Sequence, residues 1–199
     1  IYTVTFNPAI DYVLKANSFE KNKINKSENE KIFPGGKGIN VSIVLNNLGI
    51  GSKVLGFVAG FTGNKIEEMI NKLGVKTEFI NLKNGNSRIN IKIDSDNKET
   101  AINCTGPKIE KEELRTLIEK LEMLKDDDIL VLAGSIPNGI ENNIYEIICE
   151  RLQNKKIKVI VDATSNLLTN VLKYRPYLIK PNDEELGEIF NIEIKDEND

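Results

Sequence analysis

Hydrophobic and polar positions along the chain switch between a period near two and a period near 3.6. Residues 1–6 (IYTVTF) are rich in β-branched and aromatic side chains and predict an opening strand, interrupted by Asn7-Pro8. Short strands are predicted at 12–16 and 30–33, separated by a polar stretch rich in Lys and Asn. Residues 39–48 read as a helix stopped by Gly49. Residues 63–73 read as a second, with Ile66, Met69, Ile70 and Leu73 at helical spacing before Gly74. Strands are predicted at 53–58 and 76–82. Residues 88–94 alternate strictly, Ile89, Ile91 and Ile93 on one face and Asn90 and Lys92 on the other. Ser95-Asp96-Asn97 turns the chain and 98–104 return it, a hairpin with one apolar face.

The second half is more regular. A helix is predicted from Pro107, carrying Leu114, Leu117, Ile118, Leu121 and Leu124, and ended by Asp126–Asp128. Residues 129–133 are a continuous apolar run, as strands buried on both faces of a parallel sheet are. A helix at 141–153, a strand at 157–161 running into Asp162, a short helix around 167–172, a strand at 177–179 and a helix at 183–190 follow, before an acidic tail. From residue 53 onward strands and helices alternate, which predicts a parallel sheet with helices on both faces. The one-sided segments 12–33 and 88–104 do not fit that sheet and predict a separate small antiparallel one.

Composition narrows the chemistry. The 199 residues suit one domain, and 27 Lys+Arg against 30 Asp+Glu give a net charge of −3, which argues against a nucleic-acid partner. The chain has no histidine, which excludes imidazole bases, histidine triads and histidine metal ligands within it. Cys104 and Cys149 are far apart and form no CxxC, so a reducing cytoplasm is expected. No apolar run reaches membrane-spanning length, and the first residues read as a strand rather than a leader, so neither membrane anchoring nor secretion is expected.

Ligands of such sheets bind beyond the carboxyl ends of the strands. The polar loops there include 7–11, 35–38, 134–135, 162–164 and 180–182. Pro34-Gly-Gly-Lys-Gly-Ile-Asn40 combines glycines, a helix start and the charge of Lys37, a combination that suits a phosphate; a flexible turn before a helix is the other reading. Neither GxxxxGK[ST] nor GxGxxG occurs. Asp11 is a candidate acceptor for sugar hydroxyls or a turn cap, and Arg88 a candidate anion partner or a solvated strand end. Ser135 has no histidine to activate it and reads as a ligand contact or a turn residue. Asn182 and Glu185, three apart at a helix start, suit either a hydrated Mg²⁺ or a capping box. Lys180 is a candidate partner for a nucleotide phosphate or a surface lysine.

Taken together, TFNPAIDY (5–12), PGGKGINVS (34–42), GFVAGFTG (56–63), RINIKI (88–93), LAGSIP (132–137) and LIKPNDEEL (178–186) resemble the ribokinase/PfkB family of sugar kinases over essentially the whole chain. The resemblance implies a Rossmann-like α/β/α parallel sheet, ribokinase-like, with a β-sheet lid, the lid segments falling near 12–33 and 88–104 of a domain over 1–199. It implies that Asp11, Gly35, Gly36 and Asn40 bind the sugar and that Lys37 and Arg88 hold its existing phosphate. Ser135 would touch the substrate, Lys180 and Asn182 would serve the nucleotide, and Glu185 would support Mg²⁺ indirectly. Lys23 would be a lid lysine. The activity implied is ATP-dependent phosphoryl transfer to a ketohexose phosphate, with fructose 1-phosphate becoming fructose 1,6-bisphosphate. The alternatives are phosphorylation of tagatose 6-phosphate and a non-catalytic phosphosugar-binding fragment. A homodimer through the lid is implied too. Family members carry their catalytic Asp in a GxGD motif, absent here. The chain is therefore expected to be the N-terminal portion of such a kinase, inactive alone, with its base beyond residue 199.

Overall fold

In the computed structural model, which describes residues 1–96, 98–137, 139–163 and 165–194, two sheets are built from one winding chain. The turn residue Asn97, Thr164 of the 162–164 loop and the end of the acidic tail lie outside the described residues. The first half runs β1 (Tyr2–Thr5), β2 (Ala9–Lys15), β3 (Asn29–Gly35), α1 (Lys37–Asn47), β4 (Lys53–Ala59), α2 (Gly60–Lys72), β5 (Lys76–Leu82), β6 (Arg88–Ser95) and β7 (Lys98–Asn103). The second runs α3 (Lys111–Glu122), β8 (Ile129–Ala133), α4 (Ile144–Leu152), β9 (Lys158–Asp162), α5 (Ser165–Val171), β10 (Leu178–Ile179) and α6 (Asp183–Phe190).

The larger sheet has the order β10-β9-β8-β1-β4-β5, and every pair in it is parallel. Alternation along the strands feeds its two faces. Val4 and Phe6 of the first segment join Leu55 and Phe57 of β4 in the main core, where they meet Leu117 of α3 and Tyr145 of α4. The Phe6 ring lies 5.9 Å from Phe57 and 5.7 Å from Tyr145, within the range where aromatic pairs attract. On the opposite face Val54 packs with Ile39 of α1 and with Ile66 and Ile70 of α2. Thr3 and Thr5 point the same way: Thr3 Oγ1 and Ser42 Oγ are 2.9 Å apart. The three-layer α/β/α arrangement expected from the alternation is therefore present.

The small sheet has the order β3-β2-β6-β7 and differs from expectation in one respect. β2–β3 and β6–β7 are antiparallel, but the inner pair β2–β6 is parallel, with Asp11 opposite Asn90 and Ala9 opposite Arg88. The sheet is mixed because β2 follows β1 and β6 follows β5, so both leave the carboxyl edge of the same parallel sheet and enter the small sheet in one direction. Helix α3 also starts later than the proline predicted. Pro107 lies in irregular backbone, and Ile109, which is buried, is pinned in the core before the first helical turn at Lys111. Among the described residues no helix is long and apolar enough to cross a membrane.

At the rim of β5, Glu78 accepts from Lys53 at 2.8 Å and from Lys120 of α3 at 2.5 Å. These hydrogen bonds hold its carboxyl below the ordinary carboxylate value, with Lys120 the larger influence. A carboxyl depressed on folding contributes stability that is present above its unfolded value and lost as pH falls through the folded one. All three side chains are partly exposed, so Glu78→Gln is expected to cost no more than about 1 kcal/mol at neutral pH. The difference from wild type should shrink as pH falls below the ordinary carboxylate range, as measured by thermal melts at neutral and acid pH. An equal difference at both would assign the effect to packing.

Candidate active site

Strand order reverses direction beside β1, whose neighbours are β4 on one side and β8 on the other. Such a switch point leaves a crevice at the strands' carboxyl ends. A cavity of about 220 Å³ lies there, with Thr5 and Asn7 after β1, Gly36 and Lys37 at the start of α1, and Ala133, Gly134 and Ser135 after β8 in its wall. Arg88 from the small sheet and Glu185 from α6 complete it.

Thr5 explains much of the glycine loop. A Cβ on Gly36 would fall 2.6 Å from Thr5 Cγ2, and one on Gly38 would fall 2.6 Å from Thr5 Oγ1 and 2.7 Å from the Val4 carbonyl oxygen. The Ile39 N–H donates to Thr5 Oγ1 at 3.1 Å. The glycines therefore let the first turn of α1 lie directly on the end of β1, and one first-turn donor is taken by the protein itself. The loop is a docking surface between helix and strand as well as a candidate anion cradle.

The Lys37 ammonium donates to Asp162 Oδ1 at 3.0 Å and lies 3.6 Å from Glu185 Oε1. Lys180 Nζ is 3.5 Å from the same Asp162 oxygen. Both carboxylate side chains are only 12% exposed, against 43% for Lys37, so two shielded negative charges are compensated from the solvent side by two lysines. The Asn182–Glu185 pair forms a complete capping box: Glu185 N–H donates to Asn182 Oδ1 at 2.7 Å, and Asn182 N–H donates to Glu185 Oε2 at 3.0 Å. Glu185 thus uses one oxygen in the cap and turns the other toward Lys37.

On the small sheet, Arg88 Nε donates to the Asn7 carbonyl at 3.1 Å. Burial pulls the guanidinium below its ordinary value, while the negative charge of Asp11 and the Cys104 thiol pull it back. A guanidinium remains charged at neutral pH regardless. Asp11 sits opposite Asn90 and accepts from its amide at 2.8 Å. Its carboxylate lies against Gly35, where a Cβ would meet the carboxylate carbon at 2.7 Å. Behind β8, Tyr145 donates its hydroxyl to the Gly134 carbonyl at 3.0 Å. Burial, and then the charge of Asp162, push that phenol well above its usual range, so it acts as a fixed donor that holds the Gly134-Ser135 loop.

Of the residues singled out by sequence, Gly36, Lys37, Arg88, Ser135 and Glu185 meet in the cavity wall. Gly35 and Asp11 adjoin each other but are not in the wall, Asp11 reaching it through its charge on Arg88, and Lys180 and Asn182 join through Asp162 and Glu185. Asn40 is exposed on the first turn of α1. Lys23 is not in the wall; it is exposed and paired with Glu20 at 2.6 Å. Sequence reasoning passed over Thr5, Asn7, Tyr145, Asn90 and the partnership of Asp162 with Lys37. A signal existed for Asn90, which alternates with Arg88 and Lys92 on the polar side of β6. No local signal marked Asp162 as the partner of a lysine 125 positions away. Among the described residues no group of three or more acidic or cysteine side chains is placed to hold a metal ion.

A parallel sheet carrying a glycine loop, paired cations and a capped acidic helix at its switch point is a candidate ligand site of an α/β fold. The pfkB family carbohydrate kinase profile matches residues 4–199, and the chain belongs to that family. It is 40% identical over 194 residues to a 1-phosphofructokinase of Bacillus subtilis (strain 168), a match covering 98% of this chain and 63% of the relative. It is 36% identical over 191 residues to a D-tagatose-1-phosphate kinase of Bacillus licheniformis, covering 96% of this chain and 62% of that protein. The crystal structure of phosphofructokinase-2 from Escherichia coli in complex with substrates and products superposes with a TM-score of 0.92 at 25% identity, covering 100% of this chain and 65% of that one. The chain therefore spans somewhat less than two thirds of the length of these relatives.

Proposed function

We propose that the chain provides the phosphosugar side of an ATP-dependent kinase acting on a ketohexose phosphate, with fructose 1-phosphate converted to fructose 1,6-bisphosphate. The observation that carries this reading is the meeting of Lys37 and Arg88 in one switch-point cavity, with the Asp11 carboxylate near enough to act on the Arg88 charge. Two cations suit a phosphate, and a fixed carboxylate suits sugar hydroxyls. Both curated relatives are named for 1-phosphates of ketohexoses that differ in configuration at C4, which favours a 1-phosphate over tagatose 6-phosphate. D-Tagatose 1-phosphate is the second reading.

In the proposed reaction the C6 hydroxyl oxygen forms a bond to the γ-phosphorus of ATP, the bond to the ADP oxygen breaks, and the hydroxyl proton passes to a base. Such transfers depend on positioning and on charge neutralisation. Asp11, Gly35, Gly36, Asn40 and Ser135 would orient the sugar, while Lys37 and Arg88 would hold its phosphate. Lys180 and Asn182 would face the nucleotide. Glu185, with both oxygens already engaged, fits Mg²⁺ held through water and nucleotide phosphates rather than by direct coordination. The ion would screen phosphate charge. The base is proposed to be the Asp of a GxGD motif, which these 199 residues do not contain. A homodimer through the small sheet is supported by exposed Ile32 and by a cavity of about 500 Å³ between that sheet and Phe61 of α2.

Lys37→Ala in the full-length protein tests the reading. Loss of a charge-assisted hydrogen bond is worth roughly 1.5–3 kcal/mol, so the KM for fructose 1-phosphate should rise at least about tenfold. The KM for MgATP should rise as well, because Asp162 and Glu185 lose their shared counter-ion. Steady-state kinetics with both substrates varied reads both; unchanged values would make Lys37 a surface lysine and remove the anion site.

A further inference from the structure

We infer that Asn90 is a positioning residue for substrate recognition, acting through the carboxylate of Asp11. This rests on the reading of Asp11 as the sugar's hydrogen-bond acceptor. Three features hold that carboxylate: the Asn90 amide at 2.8 Å on Oδ1, Lys92 Nζ at 4.0 Å from Oδ2, and the bare Cα of Gly35 against which it lies. A carboxylate only accepts, so the amide nitrogen of Asn90 must be the atom facing Asp11. The Asn90 oxygen is then turned away, buried, with no donor among the described residues. Asn90 itself is 7% exposed, in the middle of an inner strand.

Stability alone would not place an asparagine there. Strand interiors favour β-branched and aromatic side chains, and a buried carbonyl oxygen without a donor is a cost. What the amide supplies is orientation: Asp11 Oδ1 is engaged and the carboxylate plane is set, which leaves Oδ2, 4.0 Å from Lys92 Nζ, as the oxygen offered to a ligand. The groups facing this pair are Arg88 and Lys92 on β6, Cys104 after β7, uncharged Asn103 on β7 and uncharged Phe33 on β3. None is acidic, so a second carboxylate introduced at 90 would have Asp11 as its neighbour.

The test uses Asn90→Ala, Asn90→Asp and Asp11→Asn in the full-length protein, with fructose 1-phosphate as substrate and melting temperature recorded beside the kinetics. Asn90→Ala should raise KM about tenfold while kcat changes much less. Asn90→Asp puts two carboxyls together, which share one proton at a raised apparent value. Its KM, taken as a ratio to wild type at each pH so that titration of the substrate phosphate cancels, should be high near pH 8. It should fall toward one near pH 5.5, where a protonated Asp donates as the amide does. A ratio that stays flat with pH, or Asn90→Ala that melts lower with unchanged KM, would make Asn90 structural only and overturn the inference while Asp11→Asn still raises KM. If Asp11→Asn leaves KM unchanged, the sugar-site reading fails and the inference with it.

Discussion

Asp11→Ala in the full-length protein is expected to lower kcat/KM for fructose 1-phosphate by on the order of 10²-fold or more, with the KM for MgATP nearly unchanged. Two opposing effects decide the size. The carboxylate would accept from two sugar hydroxyls, and hydrogen bonds to a charged group contribute roughly 1.5–3 kcal/mol each. Against this, removing a negative charge relieves repulsion with the substrate phosphate. For a phosphate of charge near −2 at about 8 Å and an effective dielectric near 20 that relief is about 4 kcal/mol unscreened, and screening over a Debye length of about 8 Å cuts it to roughly 1.5 kcal/mol. The hydrogen bonds win. Arg88 and Lys92, left beside an empty place, cannot take over, because both only donate. Initial rates across a substrate series give the number. A loss of less than about threefold would exclude Asp11 from substrate binding and turn the polar face of the small sheet into a solvated surface.

Gly56→Ala should be the most damaging single methyl group in the fold. Gly56 pairs with Thr5 across the β1–β4 ladder and has φ +148°, and a Cβ there would lie inside the Thr5 carbonyl oxygen, with the carbonyl carbon at 3.0 Å. The obstacle is backbone, not a side chain that can rotate away. Overpacking against backbone combined with a strained φ should cost on the order of 3 kcal/mol or more. In a domain of this size each kcal/mol lowers the melting temperature by about 2–4 °C, so a fall of about 6–12 °C is expected. The substrate KM should rise as well, because Thr5 is also the seat of Gly36, Gly38 and the Ile39 amide. Gly51→Ala, where an added Cβ meets nothing within 4 Å, is the control. Equal melting temperatures for the two variants would show that β1 and β4 have room to part and that Thr5 is not a fixed point of the site.

The elements with the clearest local patterns match the structure closely. The apolar run Ile129–Ala133 is a strand with those bounds, and Asp183–Phe190 is a helix with those bounds, started by the Asn182–Glu185 box that its spacing allowed. Residues 88–94 alternate as predicted, and β6 runs one residue further. Such features depend on neighbours within about four residues, where dihedral preference, capping and periodicity act directly. The family motifs were readable for the same reason, since each is a contiguous run.

Relations between distant segments were decided only by the tertiary structure. One hairpin and two further short strands were evident, but nothing local says that the inner strands run parallel; that follows from β2 and β6 both leaving the carboxyl edge of the same parallel sheet. The glycines at 36 and 38 read as freedom for a ligand, whereas their near contacts are Thr5 and the Val4 carbonyl, set by where α1 lands on β1. Lys37 was recognisable as a charge beside a helix start, but its partner Asp162 is 125 positions away, and Glu185 reaches it from another helix. Short-range order thus determined the layers, and the family motifs marked Gly36, Lys37, Arg88, Ser135 and Glu185 of the cavity wall. The pairing of charges across the cavity and the hold on Asp11 came from packing, because an ion pair or a buried hydrogen bond depends on ångström-scale placement that only the assembled sheet order provides.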